Sequence, residues 1–518
     1  MRDFASKQGL SKFTSQEENS LMKQNISYRH YTELLLGGFL LLYLLLPTQN
    51  STIDAWAYAA EIKQGGQLFH PHHLLFNGLH YLLTQVLPFS ISILAWLKVV
   101  NAIAAYLSLR ILAKILYLLL PLEKDVFSWC MLVGSSFTVM RFATEGETYM
   151  LPILFSLAGS YAYLRYLLEH KDVLLILAGA LCAIAYLFHQ IQVGWLIGLG
   201  LGIIFLHPKK SWRVILPSFL IPVAYVLVWV SLDSSETFFQ FINRDFYTGT
   251  ASVSIGIHNF LLTGVNFIRS FVQVHGIIPF FLKQSPWAYG SIVGIAMISI
   301  WTMRKGIPIS RSASSSPYRN FSLIHLGIFL TQLFLAFLSA GNAEFMVMLP
   351  FLLAIWLPAF LHIRTSFITG IGSMLLIWNI TFGLVPPAFH DYYHHIQMVS
   401  FIKQHPDEYY VLKDKNVVAN QLYYEEGTPF EEVLNLISYD RLSSEDWDIL
   451  MKKANEEKKD LYTDVPDKPQ LYSRGSILLD SQADLWRCEL EVILPVKAYL
   501  GEYTLYRIKH CPPQQGND

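Results

Sequence analysis

Eleven apolar runs, each long or nearly long enough to cross a bilayer, fill most of residues 33–386 and constrain this chain more than any other feature. In hydrocarbon every backbone N–H and C=O must be satisfied internally, so repeated runs of about 20 apolar residues fold as a helical bundle. The runs lie near 33–48, 92–109, 126–142, 148–168, 172–189, 193–207, 213–232, 285–303, 322–340, 343–362 and 366–386. Only 15% of the 518 residues are charged, against about 25% in soluble domains. The formal net charge of -1 offers no field for a polyanion, and no nucleic-acid partner is expected. Four cysteines are too few for a disulfide scaffold.

Charge divides the chain. Residues 1–386 hold 24 Lys/Arg against 16 Asp/Glu, whereas 387–518 hold 14 against 23. The expected fold is a polytopic α-helical membrane protein of about 11 transmembrane helices with a C-terminal soluble α/β domain. Its parts are a cytoplasmic N-terminal arm at 1–32, a transmembrane domain at 33–386 with a large first outer loop at 49–91, and an extracytoplasmic domain at 387–518. The arm is polar and lacks a small-residue cleavage site, so it does not read as a cleavable signal. Arg110, Lys114, Lys171, Lys209, Lys210, Arg213, Arg304, Lys305, Arg311, Arg319 and Arg364 all fall on one side if the N-terminus is cytoplasmic. That count requires 258–282 to be an interfacial or re-entrant segment rather than a span. No internal repeat suggests an inverted-repeat transporter.

In the C-terminal domain, 391–403, 431–437 and 444–453 read as helices, and 408–413 and 417–424 as strands. Residues 486–494 alternate apolar and acidic side chains and pair with 503–509 across a turn at 497–501. Folding that hairpin brings Cys488 near Cys511, where a disulfide is chemically allowed outside the cytoplasm. Cys130 and Cys182 lie in spans and read as packing residues.

Polar residues are costly in a membrane protein, so their clustering is informative. Three outer segments collect them. The first loop carries Asp54 just beyond the membrane edge, then His70-Pro71-His72-His73. The helix that follows places His73, Asn77, His80 and Thr84 on one stripe, suited either to an interfacial anchor or to a site lining. The second segment, Arg141-Phe142-Ala143-Thr144-Glu145-Gly146-Glu147, offers an Arg141–Glu145 pair at helical spacing. The third is the turn at His189-Gln190. Asn243-Arg244-Asp245 and Asn342-Ala343-Glu344 fall on the same side, and Arg269 and Lys283 join them. No phosphate-binding glycine loop, nucleophile elbow or HExxH motif is present. The histidine spacing resembles a metal-ligand set only weakly, which leaves a divalent metal open. Asn50-Ser51-Thr52 and Asn379-Ile380-Thr381 are sequons.

The order of these segments resembles the GT-C superfamily of integral membrane glycosyltransferases, in particular the branch with protein O-mannosyltransferases, aminoarabinose transferases and RgtA-like enzymes. The resemblance covers about 1–386 and rests on Asp54 near the start of the first loop, His70-Pro71-His72-His73-Leu74-Leu75, Arg141 to Glu145, and His189-Gln190. Many members carry an Asp-Glu pair where this chain has Asp54-Ala55.

The resemblance implies transfer of a sugar from a polyprenyl-phosphate donor to an acceptor hydroxyl on a protein, lipid or glycan, with inversion. The expected setting is a bacterial inner membrane, with the C-terminal domain in the periplasm. Asp54 is then the base. Arg141, His72, His73, His189 and Arg244 are candidates for the donor phosphate, and Glu145, Glu147, His70 and Asn77 for substrate. Two other classes stand beside it, a transporter or flippase of a lipid-linked saccharide and a non-catalytic assembly protein.

Overall fold

The computed structural model describes residues 15–86, 90–232, 236–243, 255–274, 277–304, 309–311, 316–428, 435–439, 442, 444–465 and 488–510. All eleven apolar runs are helical within these residues. Five helices are long and apolar enough to cross a membrane, or up to seven if each of two bent pairs is one span, against the eleven expected. Length accounts for three of the remaining runs. Val173–Phe188, Gln190–Leu206 and Ala343–Ala359 fall in the 10–17-residue class, about 15–26 Å at the α-helical rise. The helices show apolar side chains such as Leu227, Val230 and Phe205 to their surroundings, as an integral membrane protein must.

One bent pair sets up the face that carries the polar segments. Glu123–Gly134 and Phe137–Ala143 meet at 65°. The break frees backbone groups that hydrocarbon cannot satisfy, and neighbouring side chains take them up. Tyr43 Oη donates to Gly134 O at 2.8 Å, and Asn379 Nδ2 donates to Ser135 O and Phe271 O, both at 2.7 Å. Asn379 is thereby buried as a backbone clamp, not presented as a sequon.

Residues 258–282 are two short helices rather than one span. Ile257–Arg269 exposes Ile257, Phe260, Leu261 and Ile268 and buries Asn259, Thr263 and Asn266. Asn259 and Asn266 donate to Phe337 O at 2.8 Å and Gly341 O at 2.6 Å. Ile277–Gln284 turns by 114° into Ala288–Arg304. The loops expected to share a side do meet. Lys210 and Arg213 each pair with Asp172 at 2.8 Å. Strand β1 (Ile309–Arg311) pairs antiparallel with β2 (Leu361–Ile363).

The C-terminal domain is a five-stranded sheet between helices. Strands β3 (Tyr409–Leu412), β4 (Leu436–Ser438), β5 (Leu461–Thr463), β6 (Glu489–Ala498) and β7 (Gly501–His510) lie in the order β4-β3-β5-β7-β6. β3 is parallel to β4 and β5, and the β6–β7 hairpin is antiparallel. Helices His395–Gln404 and Lys415–Glu426 cover one face through Met398, Ile402, Val418 and Leu422. Ser444–Glu457 covers the other through Leu450 and Ala454.

Two expectations are corrected here. Residues 417–424, expected as a strand, belong to helix Lys415–Glu426, closed by Gly427 at φ 80°. Their β-branched and tyrosine content suited a strand, but Val418 and Leu422 face the sheet at helical spacing. Within 431–437, expected as a helix, Leu436–Ser438 forms strand β4, and 431–434 lie outside the described residues. The Cys488–Cys511 pairing also falls on a residue outside them, Cys511.

This domain is tied to the first outer loop. Asn50 Nδ2 donates to Pro387 O at 3.2 Å and His390 O at 2.7 Å, and its Oδ1 accepts from Tyr392 N at 2.7 Å. Like Asn379, this sequon asparagine is used as a clamp. Asn420 Nδ2 donates to Ile53 O at 3.1 Å, and Lys63 Nζ to Tyr424 O at 2.7 Å.

Candidate active site

Asp54 stands in the first turn of helix Ile53–Gln64 because Thr52 caps it, accepting from Ala55 N at 3.1 Å. The same Thr52 hydroxyl donates to Glu147, so the cap joins the first loop to the segment before Met150. Asn101 pins that segment by donating to Glu145 O at 2.7 Å and Glu147 O at 2.5 Å. Glu344 enters from the turn at Ala343–Met346, capped by Asn342, and accepts from Tyr149 Oη at 2.8 Å. Three carboxylates from distant parts of the chain thus face one another.

Their electrostatics follow from crowding. Asp54 remains accessible to water, yet the surrounding protein thins its hydration and Glu344 adds a like charge. Together these raise its pKa to about 6, against a pull from His70. Burial pushes Glu147 well above the usual carboxylate range, reinforced by Asp54 and Glu344. Asp54 is therefore mostly ionised at neutral pH, while Glu147 is biased toward its protonated form.

Glu145 stands beside the trio and adds a smaller like charge to Glu147. Burial raises its pKa and Lys98 opposes the rise, while its Oε1 accepts from Gly146 N at 2.8 Å. The expected Arg141–Glu145 ion pair is absent among the described residues. The helix ends at Ala143, so the two side chains no longer share a helical face. Arg141 is left exposed beside the Phe142 ring.

The histidines form a group of edge-on and tilted rings next to the trio. Ring centroids lie 4.4 Å apart for His70 and His73, 5.5 Å for His70 and His72, and 6.2 Å for His73 and His189. Tyr58 meets His73 edge-on at 4.8 Å, and Tyr149 stacks on His189 at 5.1 Å. The His-Pro-His-His turn is fastened to the third segment, with His72 Nδ1 and Gln190 Oε1 3.0 Å apart and Gln190 Nε2 donating to Pro71 O at 3.0 Å. Burial, helped by neighbouring histidines, drives His73 well below its ordinary pKa and His189 down to about 3. Both stand neutral, so toward a phosphate they act as hydrogen-bond donors rather than cations. His189 Nδ1 accepts from Ile191 N at 3.1 Å, which leaves the proton on Nε2.

Asn77 and His80 turn inward. Asn77 Nδ2 donates to Gln67 O at 3.4 Å, and His80 accepts from Trp96 Nε1 at 3.1 Å. The opposite face of their helix exposes Leu79, Leu82 and Val86. Asn77 and His80 are buried and line no open surface. Arg269 is half-buried and donates to Asn266 Oδ1 at 2.9 Å, and Lys283 is exposed. Arg244 lies outside the described residues. Among them, no group of three or more His, Cys, Asp or Glu has a metal-holding arrangement.

Sequence reasoning placed Glu344 on the outer side but gave it no role, and passed over Tyr58 and Tyr149. A signal for Glu344 was present: it is the only acid between Asp245 and Asp391. An isolated carboxylate in so apolar a stretch is costly unless it has a task.

Comparison with models of known families and with characterised proteins finds no match. Among solved structures the chain is similar to ArnT from Cupriavidus metallidurans bound to undecaprenyl phosphate, with TM-score 0.46 and 9% identity over 93% of this chain and 98% of that one. The apo state of the same protein gives TM-score 0.47 with the same identity and coverage.

Proposed function

We propose that this chain is a membrane glycosyltransferase that moves a sugar from a polyprenyl-phosphate donor to an acceptor hydroxyl at its outer face. The observation that carries the reading is the accessible Asp54 carboxylate, set beside Glu147 and Glu344 and on the same outer face as an exposed Arg141 that makes no ion pair among the described residues. Asp54 takes the proton of the acceptor hydroxyl. The acceptor oxygen bonds to the anomeric carbon as the bond to the phosphate oxygen breaks, through an oxocarbenium-like transition state. The bond electrons leave on polyprenyl phosphate, whose charge Arg141 meets together with donor N–H groups from the histidines. A single displacement inverts the anomeric centre.

The test is release of polyprenyl phosphate from reconstituted vesicles given a panel of polyprenyl-phosphate sugars. Wild type should release it, and Asp54→Asn should be slower by about 100-fold or more. Equal release by the two would remove Asp54 from the chemistry, and a retained anomeric configuration in the product would exclude the single displacement. The gathering of Asp54 and Glu344 around Glu147 also suits a transporter or flippase of a lipid-linked saccharide. In that case the donor would be recovered intact on the opposite leaflet.

A further inference from the structure

The C-terminal sheet reverses its winding beside β3. The chain leaves β3 through helix Lys415–Glu426 on one face to β4, and returns through Ser444–Glu457 on the other face to β5. In such sheets the crevice at the carboxyl ends of the strands flanking the reversal is where ligands bind. Here those ends carry Lys413 and Asp414 after β3 and Asp464 after β5. His394 Nε2 pairs with Asp464 Oδ2 at 2.8 Å, both buried, and Asp464 Oδ1 accepts from Lys413 N at 2.9 Å. His395 approaches Asp414 at 3.4 Å, while Tyr393 stacks on His395 at 5.1 Å. These contacts fix the segment that joins the membrane part to the sheet.

Beside that segment opens a cavity of about 400 Å3, lined by Gln284, Asp391, Tyr393, Gln397, Lys497 and Tyr499 among others. It lies in the size range of small-ligand sites, roughly 300–1,000 Å3. Its wall is set by stacking of His390 on Tyr499 at 4.0 Å and by Tyr499 N donating to Asp391 O at 3.0 Å. The Tyr499 hydroxyl is buried without a hydrogen-bond partner among the described residues, an arrangement that costs stability unless a ligand or water completes it. Arg141 lies close enough to act electrostatically on Tyr393. The Asn50 clamp holds Pro387, His390 and Tyr392 four residues before Asp54.

We infer that this junction cavity is a saccharide-binding subsite that holds the acceptor, an inference that rests on the transferase reading of the neighbouring carboxylates. The exposed ring of Tyr393 suits the C–H face of a sugar ring. The amides of Gln284 and Gln397 and the carboxylate of Asp391 match adjacent hydroxyls, which both donate and accept. A purely apolar ligand would strand these groups. A polyanion would meet Asp391, with Lys497 the sole cation among the six.

The experiment is binding of the full-length protein, in lipid nanodiscs, to a broad oligosaccharide array. Wild type should retain at least one glycan. Tyr393→Ala and Asp391→Ala should weaken it at least ten-fold, while Tyr393→Phe, which keeps the ring, holds it within about three-fold. In transfer assays Tyr393→Ala should raise the acceptor KM without an equal fall in kcat. No glycan bound by wild type, or equal binding by the two alanine variants, overturns the proposal. Asp54→Asn separates the two readings. Glycan binding that survives in Asp54→Asn, with transfer also unimpaired, sinks the catalytic reading and leaves the saccharide site standing. Transfer abolished in Asp54→Asn, with glycan binding indifferent to Tyr393→Ala, does the reverse.

Discussion

Replacing Glu344 with glutamine removes a negative charge beside Asp54 while keeping an oxygen for Tyr149 to donate to. Loss of hydration is the larger cause raising Asp54 and Glu344 the next, against His70, and together they carry the pKa from 3.8 to about 6. A nearby like charge shifts a carboxyl by on the order of one pH unit. Asp54 accepts a proton only when ionised, so transfer by wild type fails as the pH falls through about 6. In Glu344→Gln the acid limb moves down. At pH 5 the ionised fraction climbs from roughly one-tenth to as much as one-half, a gain of up to about five-fold, with no change near pH 8. The assay is the pH dependence of kcat/KM for polyprenyl phosphate release, both proteins reconstituted at equal density. An acid limb that stays in place, or moves upward, would refute the assignment of that limb to an Asp54 governed by Glu344.

Other outcomes follow from the same geometry. Arg141→Ala should lower kcat/KM for the donor by about 10- to 100-fold, the worth of one charged hydrogen bond, and Arg141→Lys should recover part of it in the same release assay. Asn50→Asp loses the donor that holds Pro387 O and His390 O. It should loosen the junction by about 1–3 kcal/mol, seen as faster hydrogen exchange at the Tyr392 amide and quicker protease cleavage beside it. Mass mapping without reductant should recover Cys488 and Cys511 in one linked species. Cys130 and Cys182, both buried, should resist alkylation until the protein is unfolded.

Much of the bundle was legible because apolar runs report helices directly. What they could not report was length and bend. The break at Ser135-Ser136 depends on Tyr43 and Asn379, remote side chains that satisfy the freed carbonyls. The outer segments were legible as polar islands, and Asp54, Glu147, His70, His73 and His189 do come together. Arg141 and Glu145 were misjudged as partners because their spacing suits a helix that stops at Ala143. Asn77 and His80 were legible as a stripe, but which way it faced depended on Trp96 and the backbone of Gln67. Helix Lys415–Glu426 read as a strand because its composition fits one. Its true state comes from packing on the sheet and on the first loop, through Asn420 and Tyr424.

The wide spacing of the site in sequence has a consequence for biosynthesis. Thr52 meets Glu147, Tyr149 meets Glu344, and Asn420 holds the carbonyl of Ile53, the residue before Asp54. A ribosome must therefore have passed residue 344 before the acidic trio exists, and residue 420 before the turn bearing Asp54 is fully held. Until then the emerging chain presents Asp54 without its companions. A partly made protein thus lacks the assembled carboxylates, and the later-made domain completes the earlier-made loop.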